Sequence, residues 1–288
     1  MQTDAAEPIR QSKALPIPVT FAGTVAFSRK SASWFLLGWL CTAALASATC
    51  LWFVHARWIP VFEATIDALP SNLTMTAGAM EAFPEAEIVQ RQNGFISLII
   101  TPSTQWQGNM TADFQIAATP SEIRFRSLLG YLSIPYPPDT EFRLPPSDIK
   151  PWWRAREALF TVLAFCLVSS ALLATWSVLA TLYFFPIAIA NYFADRKNEF
   201  WETWRLAGSL LLPGALIMTL SILLYGFHLL GFLGLLVATA LHFIVAWIYG
   251  VATIKHIPPI PSFPRTGTNP FSDSDKNESS HPDPRFGD

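Results

Sequence analysis

Apolar positions in this chain collect in three runs without a single Asp, Glu, Lys or Arg: 31–54, 158–194 and 206–254, of 24, 37 and 49 residues. A helix rises about 1.5 Å per residue, so about 20 apolar residues cross ~30 Å of hydrocarbon. The first run predicts one crossing, with Trp34, Trp39, Trp52 and Trp58 near its ends as interfacial anchors. Ala46-Ser47-Ala48 has the small-x-small form of a signal cleavage site, but about 30 residues precede the run and it continues to Val54. Both lengths predict an uncleaved anchor.

The third run is long enough for two crossings, near 206–225 and 230–254. Tyr225-Gly226-Phe227-His228 to Gly231 is the natural turn, because glycine tolerates tight backbone. Pro213-Gly214 is expected to kink the first of the pair. The second run would make a helix of about 55 Å, too long for one upright crossing and too short for two plus a loop. One tilted helix from Pro151 or Ala158, broken at Pro186, resolves this. Beyond it, Phe193, Phe200 and Trp204 recur at helical spacing beside Trp201, while Asp195, Arg196, Asn198, Glu199 and Glu202 fill the rest. That pattern predicts an amphipathic helix over 191–205 lying in the membrane interface, with a solvated connector as the alternative.

The expected order is a segment 1–30, a first crossing in 31–57, a folded region 58–150, and a second crossing in 151–190. The interfacial helix 191–205, a helical hairpin 206–254 and a disordered tail 255–288 follow. Interface anchors are then Trp34, Trp52, Trp58, Trp152, Trp153, Phe200, Trp201 and Trp204. Seven Lys/Arg flank the helices on the side of the termini and four on the other, which predicts both termini on the cytoplasmic side.

Between the first and second crossings, short strand-like runs dominate. Residues 86–91 and 95–100 flank Asn93-Gly94, a strong hairpin signal. Residues 114–117, 123–128 and 131–136 supply further strands, and Ile123, Phe125 and Ser127 alternate with Arg124 and Arg126 as in a half-buried strand. Residues 59–69 have the helical look of a stalk. A small α+β extracytoplasmic domain with an antiparallel sheet is expected, carried by an α-helical integral membrane protein of about four transmembrane helices.

Composition sharpens this picture. Hydrophobic residues make up 51% of the 288 and charged residues 14%, against about 25% charged in soluble domains. Outside the three runs the charged share is 22%, which is ordinary, so a soluble single-domain enzyme is excluded. A net charge of −2 without a basic stripe leaves no footprint for nucleic acid. Cys41, Cys50 and Cys166 all lie within apolar runs, so no disulfide framework is expected.

Candidate chemistry is sparse. His55, at the membrane edge, is the one histidine between residues 55 and 157, too few for a Ser-His-Asp set or a histidine metal cluster. Glu81, Glu85 and Glu87 read as a solvated acidic face. Asn72-Leu73-Thr74 and Asn109-Met110-Thr111 match glycosylation acceptors, relevant in a eukaryotic host. His242 falls near the middle of the last crossing, where an ionisable group is costly. Gly234, Ala238, His242, Ala246 and Gly250 recur every four residues, as do Gly38, Thr42, Ala46 and Cys50 in the first crossing. Small residues at that spacing let helices approach closely, so His242 is expected to be neutral and hydrogen-bonded across a tight seam. A relay would need an acidic partner, and no Asp or Glu occurs in the three uncharged runs. No catalytic residue, cofactor or metal is therefore assigned. The proline-rich stretch 258–288 is expected to be solvated, although Asn269-Pro270-Phe271 has the form of a docking peptide.

The residues 21–28 before the first crossing, Asn93-Gly94 with its following strand, and 112–137 carry a resemblance. The layout resembles a family of uncharacterised bacterial multi-pass proteins, distantly Yip1-like in the helical part, and no catalytic residues follow from it. The resemblance implies a bacterial plasma-membrane protein. Its expected partners are the lipid bilayer and other membrane proteins or further copies of itself. A sensor or accessory subunit acting through the folded region is the leading expectation. A small-solute transporter or membrane-embedded enzyme using His242, and a Yip1-like membrane-organising protein, are the alternatives.

Overall fold

A computed structural model describes residues 15–70, 74–76, 79–81, 88–103, 109–138, 142–143, 145–197 and 199–260. The protein is mostly helical, with four helical stretches long and apolar enough to cross a membrane and a small mixed sheet. Helix α1 (Phe21–Ser28) is capped by Thr20, whose hydroxyl accepts from the Gly23 N–H at 3.1 Å. Helix α2 (Ala32–Phe53) leads without a break through a π-turn (Val54–Trp58) into α3 (Ile59–Asp67). Pro60 lacks the N–H that the Ala56 carbonyl would accept, and the ladder widens immediately before it.

Helix α4 (Pro146–Phe193) holds 48 residues, about 72 Å at 1.5 Å per residue. Pro151 and Pro186 both lie inside it, so the break expected at Pro186 does not occur. Proline removes one backbone hydrogen bond there, and packing on both sides outweighs the loss. Phe184 meets Phe200 at 4.9 Å, Tyr183 meets Trp247 at 5.3 Å, and the Trp204 indole donates to the Thr181 hydroxyl at 3.2 Å.

The single amphipathic helix expected over 191–205 is divided. Residues 191–193 finish α4, Asp195 takes a left-handed backbone (φ 51°), and α5 (Phe200–Ser209) starts afresh. The segment after the last helix fixes this reversal: Arg196 bridges to Pro259, and the Lys197 N–H donates to the Pro258 carbonyl at 3.1 Å. Ile257 is buried, so the first residues of the expected tail belong to the fold, while 261–288 lie outside the described residues. The first segment joins the same end. Val25 and Phe27 of α1 are buried, the Tyr249 hydroxyl donates to the Val19 carbonyl, and Arg205 donates to the Lys30 carbonyl at 2.9 Å.

Helix α6 (Leu211–Gly226) follows α5 after a joint at Leu210. Pro213 stands in the first turn of α6, lacking the N–H that Ser209 would accept, so the interruption falls before the proline rather than as a kink within the helix. Buried positions occupy 67% of the most apolar window spanning α5 and α6 and none of the corresponding window of α4. Helix α6 is thus the central post, packed on α2 and on α7 (Phe232–Thr253). In the α6–α7 turn the left-handed residue is His228 (φ 60°) and not a glycine. Gly226 serves close approach instead, because a Cβ there would stand 2.7 Å from the Trp52 ring.

Strands β1 (Thr74–Thr76), β2 (Ala79–Glu81) and β8 (Phe142–Arg143) form one small sheet in the order β2-β1-β8. Strands β3 (Val89–Gln92), β4 (Ile96–Ile100), β5 (Phe114–Ala118), β6 (Glu122–Ser127) and β7 (Gly130–Pro135) form the other, in chain order. The expectation of a purely antiparallel sheet fails at one pair: β4 and β5 run parallel. Thirteen residues separate them, the length a parallel return needs. Strand β6 also lacks the expected clean alternation, since all six of its residues are half-buried and Arg124 pairs with Glu122 at 2.6 Å. Ile96, Leu98, Phe114 and Ile116 turn one face of the sheet onto Val61 of α3 and Trp58.

Tyr136, just past β7, packs near Met80, Ile100 and Ala118 with its hydroxyl buried and without a hydrogen-bond partner among the described residues. Burial, helped by the negative charge of Glu122, pushes its pKa up to about 12. The unfolded phenol ionises near its ordinary value of 10, so the folded protein loses stability as pH rises from there through 12. Tyr136→Phe is expected to remove one tyrosine from the part of an ultraviolet tyrosinate titration near pH 12 and to stabilise the protein by about 1 kcal/mol at neutral pH. A titration whose amplitude near pH 12 is the same in the substituted protein would contradict this assignment.

Candidate functional site

The β3–β4 turn is built by Asn93. Its carboxamide oxygen accepts from the Phe95 and Ile96 N–H groups, both at 2.9 Å, and its amide donates to the Arg57 carbonyl at 2.6 Å. Self-capping by asparagine is why a tight turn forms here. It also thrusts Phe95, 2% exposed, toward the ends of the long helices. The ring meets Phe53 edge-on at 5.3 Å, Tyr225 at 4.8 Å, and stacks on His228 at 4.2 Å. Arg57 lies over the same ring at 5.7 Å while its Nε donates to the Gly226 carbonyl at 2.8 Å. Beside it the Tyr225 hydroxyl donates to Asp113 at 2.7 Å, and Phe114 meets Phe232 at 5.1 Å. Charge-assisted and aromatic contacts therefore clamp one end of the sheet onto α2, α6 and α7.

Next to this clamp the sheet outruns its cover. Register places Ile116, Phe125 and Leu132 in one row and Phe114, Ser127 and Gly130 in the next, on the face that α3 covers only over β4 and β5. The uncovered part forms a groove of about 490 Å³ lined by Trp58, Phe114, Phe125, Leu129 and Leu132 among others. That volume lies in the range of small-molecule sites, about 300–1,000 Å³. Leu128, Leu129, Tyr131, Leu132 and Ile134 are all exposed around it. The Trp58 indole, 5.7 Å from the Phe114 ring, has a buried N–H without an acceptor among the described residues.

A smaller crevice of about 140 Å³ separates the π-turn from α4. His55 approaches Glu157 there at 3.4 Å, Trp153 stacks on Phe160 at 5.9 Å, and Arg156 lies over Trp152 at 4.9 Å. Lys150 pairs with Asp67 nearby.

The candidate seam residues do not share one interface. A Cβ on Gly38 would stand 2.5 Å from the Phe27 ring, so this glycine admits α1, and Thr42 donates to the Gly38 carbonyl at 2.8 Å. Ala46, Ala238 and Ala246 are buried. Gly250 faces Leu210, and Gly234 has only Leu230 beside it. His242 does not bond across a seam: its Nδ1 lies 2.5 Å from the Thr239 carbonyl of its own helix. Its backbone makes the close contact instead, because a Cβ on Gly214 would stand 2.6 Å from the His242 carbonyl oxygen. A direct hydroxyl link joins α2 and α4, where Ser169 donates to Ser47 at 2.8 Å, whereas Ser177 and Thr181 bond their own helix.

Among the candidate anchors, Trp34, Trp152, Phe200 and Trp201 are exposed and Trp153 is half-buried. Trp52, Trp58 and Trp204 are also half-buried and pack against other rings, Trp204 against Phe35 and Trp39. Of the acidic group, Glu85 and Glu87 lie outside the described residues, as does Asn72. Asn109 is described, and its carbonyl accepts from Gln115 at 3.3 Å. No three His, Cys, Asp or Glu side chains gather in a metal-binding group among the described residues. The clamp residues Phe95, Asp113 and His228 escape sequence reasoning. The Asn93-Gly94 hairpin signal and the turn expected over 225–231 pointed near them, but not to their contact. No family model, curated protein or solved structure matches this chain.

Proposed function

We propose that this is an integral membrane protein that works by binding, as a sensor or accessory subunit, through the folded domain between its first and second crossings. The observation that carries this reading is the clamp at Phe95, which ties the sheet directly to the α6–α7 turn. A binding event on the sheet would then be transmitted to the membrane helices through packed, hydrogen-bonded contacts rather than through a loose tether. The position of the apolar groove, on the sheet and beside the clamp, supports it further. That His242 bonds its own helix backbone, with no Asp or Glu in the uncharged runs, supports a packing role for it.

Two variants separate this reading from a transporter or enzyme using His242. The full-length protein, solubilised from its host membrane in mild detergent, is expected to migrate as a defined complex. Ile134→Arg on the sheet is expected to abolish that complex without altering the helical circular dichroism. His242→Leu is expected to leave the complex and the host phenotype intact. A solitary protein whose phenotype depends on His242 and not on Ile134 would overturn the proposal.

A further inference from the structure

From the contacts that hold the reversal between α4 and α5, we infer that residues 257–260 form a strap that opens and closes as a unit, a conformational switch at the end of the helical bundle where α1, α4, α5 and α7 meet.

Few bonds hold the strap closed. The Lys197 N–H donates to the Pro258 carbonyl at 3.1 Å, the Ile260 N–H to the Asp195 carbonyl at 2.9 Å, and Arg196 Nη1 to the Ile257 carbonyl at 2.8 Å. This pairing cannot spread into a sheet, because Pro258 and Pro259 have no N–H to donate. One apolar anchor completes it: Ile257, 5% exposed, sits among Val25, Ile187, Leu206 and Leu210. The two prolines fix the strap's own backbone, so it docks and leaves as one piece, with the 3₁₀ turn (Ile254–His256) after α7 as its hinge.

Closure is opposed at the same place. Asn191 is 1% exposed and lines one crevice with Ile257 and Lys197, and its carboxamide oxygen has no hydrogen-bond donor among the described residues. The Arg196 Nε–H is likewise buried without an acceptor among them. Water reaches neither atom while the strap is closed and would satisfy both once it lifts, so the closed form forfeits hydrogen bonds that the open form regains. Beside them Asp195 holds a left-handed backbone (φ 51°), which is disfavoured for residues other than glycine and relaxes when the reversal is freed. Three hydrogen bonds and one anchor, set against two orphaned polar groups and a strained residue, leave a small difference between two states, which is the condition for a switch. A partner that takes Ile257 as its own anchor reaches it only in the open state, and so draws the population there.

Hydrogen exchange on the full chain in mild detergent tests the strap. The Lys197 and Ile260 amides are expected to show equal protection, about a hundredfold or more below that of α6, because opening the strap alone exposes them. Ile257→Ala is expected to lower the protection of both by about tenfold or more, leaving α6 and the β3–β4 turn unchanged. Asn191→Leu, which removes the orphaned oxygen at similar volume, is expected to raise both about tenfold. Should Ile257→Ala fold poorly, Asn191→Leu carries the test alone, since an asparagine that merely braced the reversal would lose protection on substitution and not gain it. Protection at Lys197 and Ile260 equal to that of α6 would overturn the switch and make the segment a fixed part of the bundle. Exchange at both positions as fast as in an unfolded chain would overturn the closed state. Unequal responses of the two amides, or lowered protection in Asn191→Leu, would overturn the movement as a unit and the opposition to closure respectively.

Discussion

Gly214→Val is expected to prevent α6 and α7 from closing, with a loss of about 3 kcal/mol or more and no recoverable monodisperse protein at ordinary growth temperature. The obstacle is backbone. A Cβ at position 214 would stand 2.6 Å from the His242 carbonyl oxygen, and no rotamer change can move that atom. Helix propensity argues the other way, since alanine is better than glycine by about 1 kcal/mol inside a helix. Gly214→Ala therefore measures which effect wins, and steric overlap is expected to prevail. Thermal unfolding of the detergent-solubilised full chain, followed by size-exclusion chromatography, reads both variants. A Gly214→Ala protein as stable as the parent would show that α6 and α7 are not in this contact.

Phe95→Ala is expected to release the sheet from the helices at a cost of about 3–5 kcal/mol, the range for deleting a fully buried phenylalanine. The ring is the meeting point of Phe53, Tyr225, His228 and Arg57, so its loss removes contacts to three helical elements at once. Hydrogen exchange on the full chain localises the effect. Amides of 89–100 and of the 225–232 turn are expected to exchange faster, while α5 and the distant reversal at Asp195 keep their protection. If exchange in 225–232 stays unchanged, the coupling between sheet and helices does not run through Phe95.

Reading the chain in one dimension went far for the elements themselves. The three uncharged runs already required long helices, because such segments are stable only where apolar side chains are shielded from water. The stalk, the hairpin around Asn93 and the strands beginning at Phe114 and near Ile123 and Tyr131 all occur where local pattern puts them. Proline was the less dependable guide. Pro186 looks like a stop, yet a single missing hydrogen bond is weak against aromatic packing along α4, so the helix runs on to Phe193. The true stop, at Asp195, depends on the segment near Pro259 returning to bridge Arg196, a partner more than sixty positions away.

The candidate site divides in the same way. Trp58 was legible as an aromatic at the end of an expected crossing, but its place in the groove depends on Phe114, brought back by a parallel strand pairing that periodicity does not reveal. The small-residue stripes were visible, whereas their partners were not: Gly38 admits a phenylalanine of α1, and Gly214 admits a backbone carbonyl of α7. Sequence by itself determined which segments avoid water and which alternate, since hydrophobicity and period are properties of neighbours along the chain. Tertiary structure decided what each face meets, including the clamp at Phe95 and the open face above Trp58, because contact depends on distances in space between residues far apart in order.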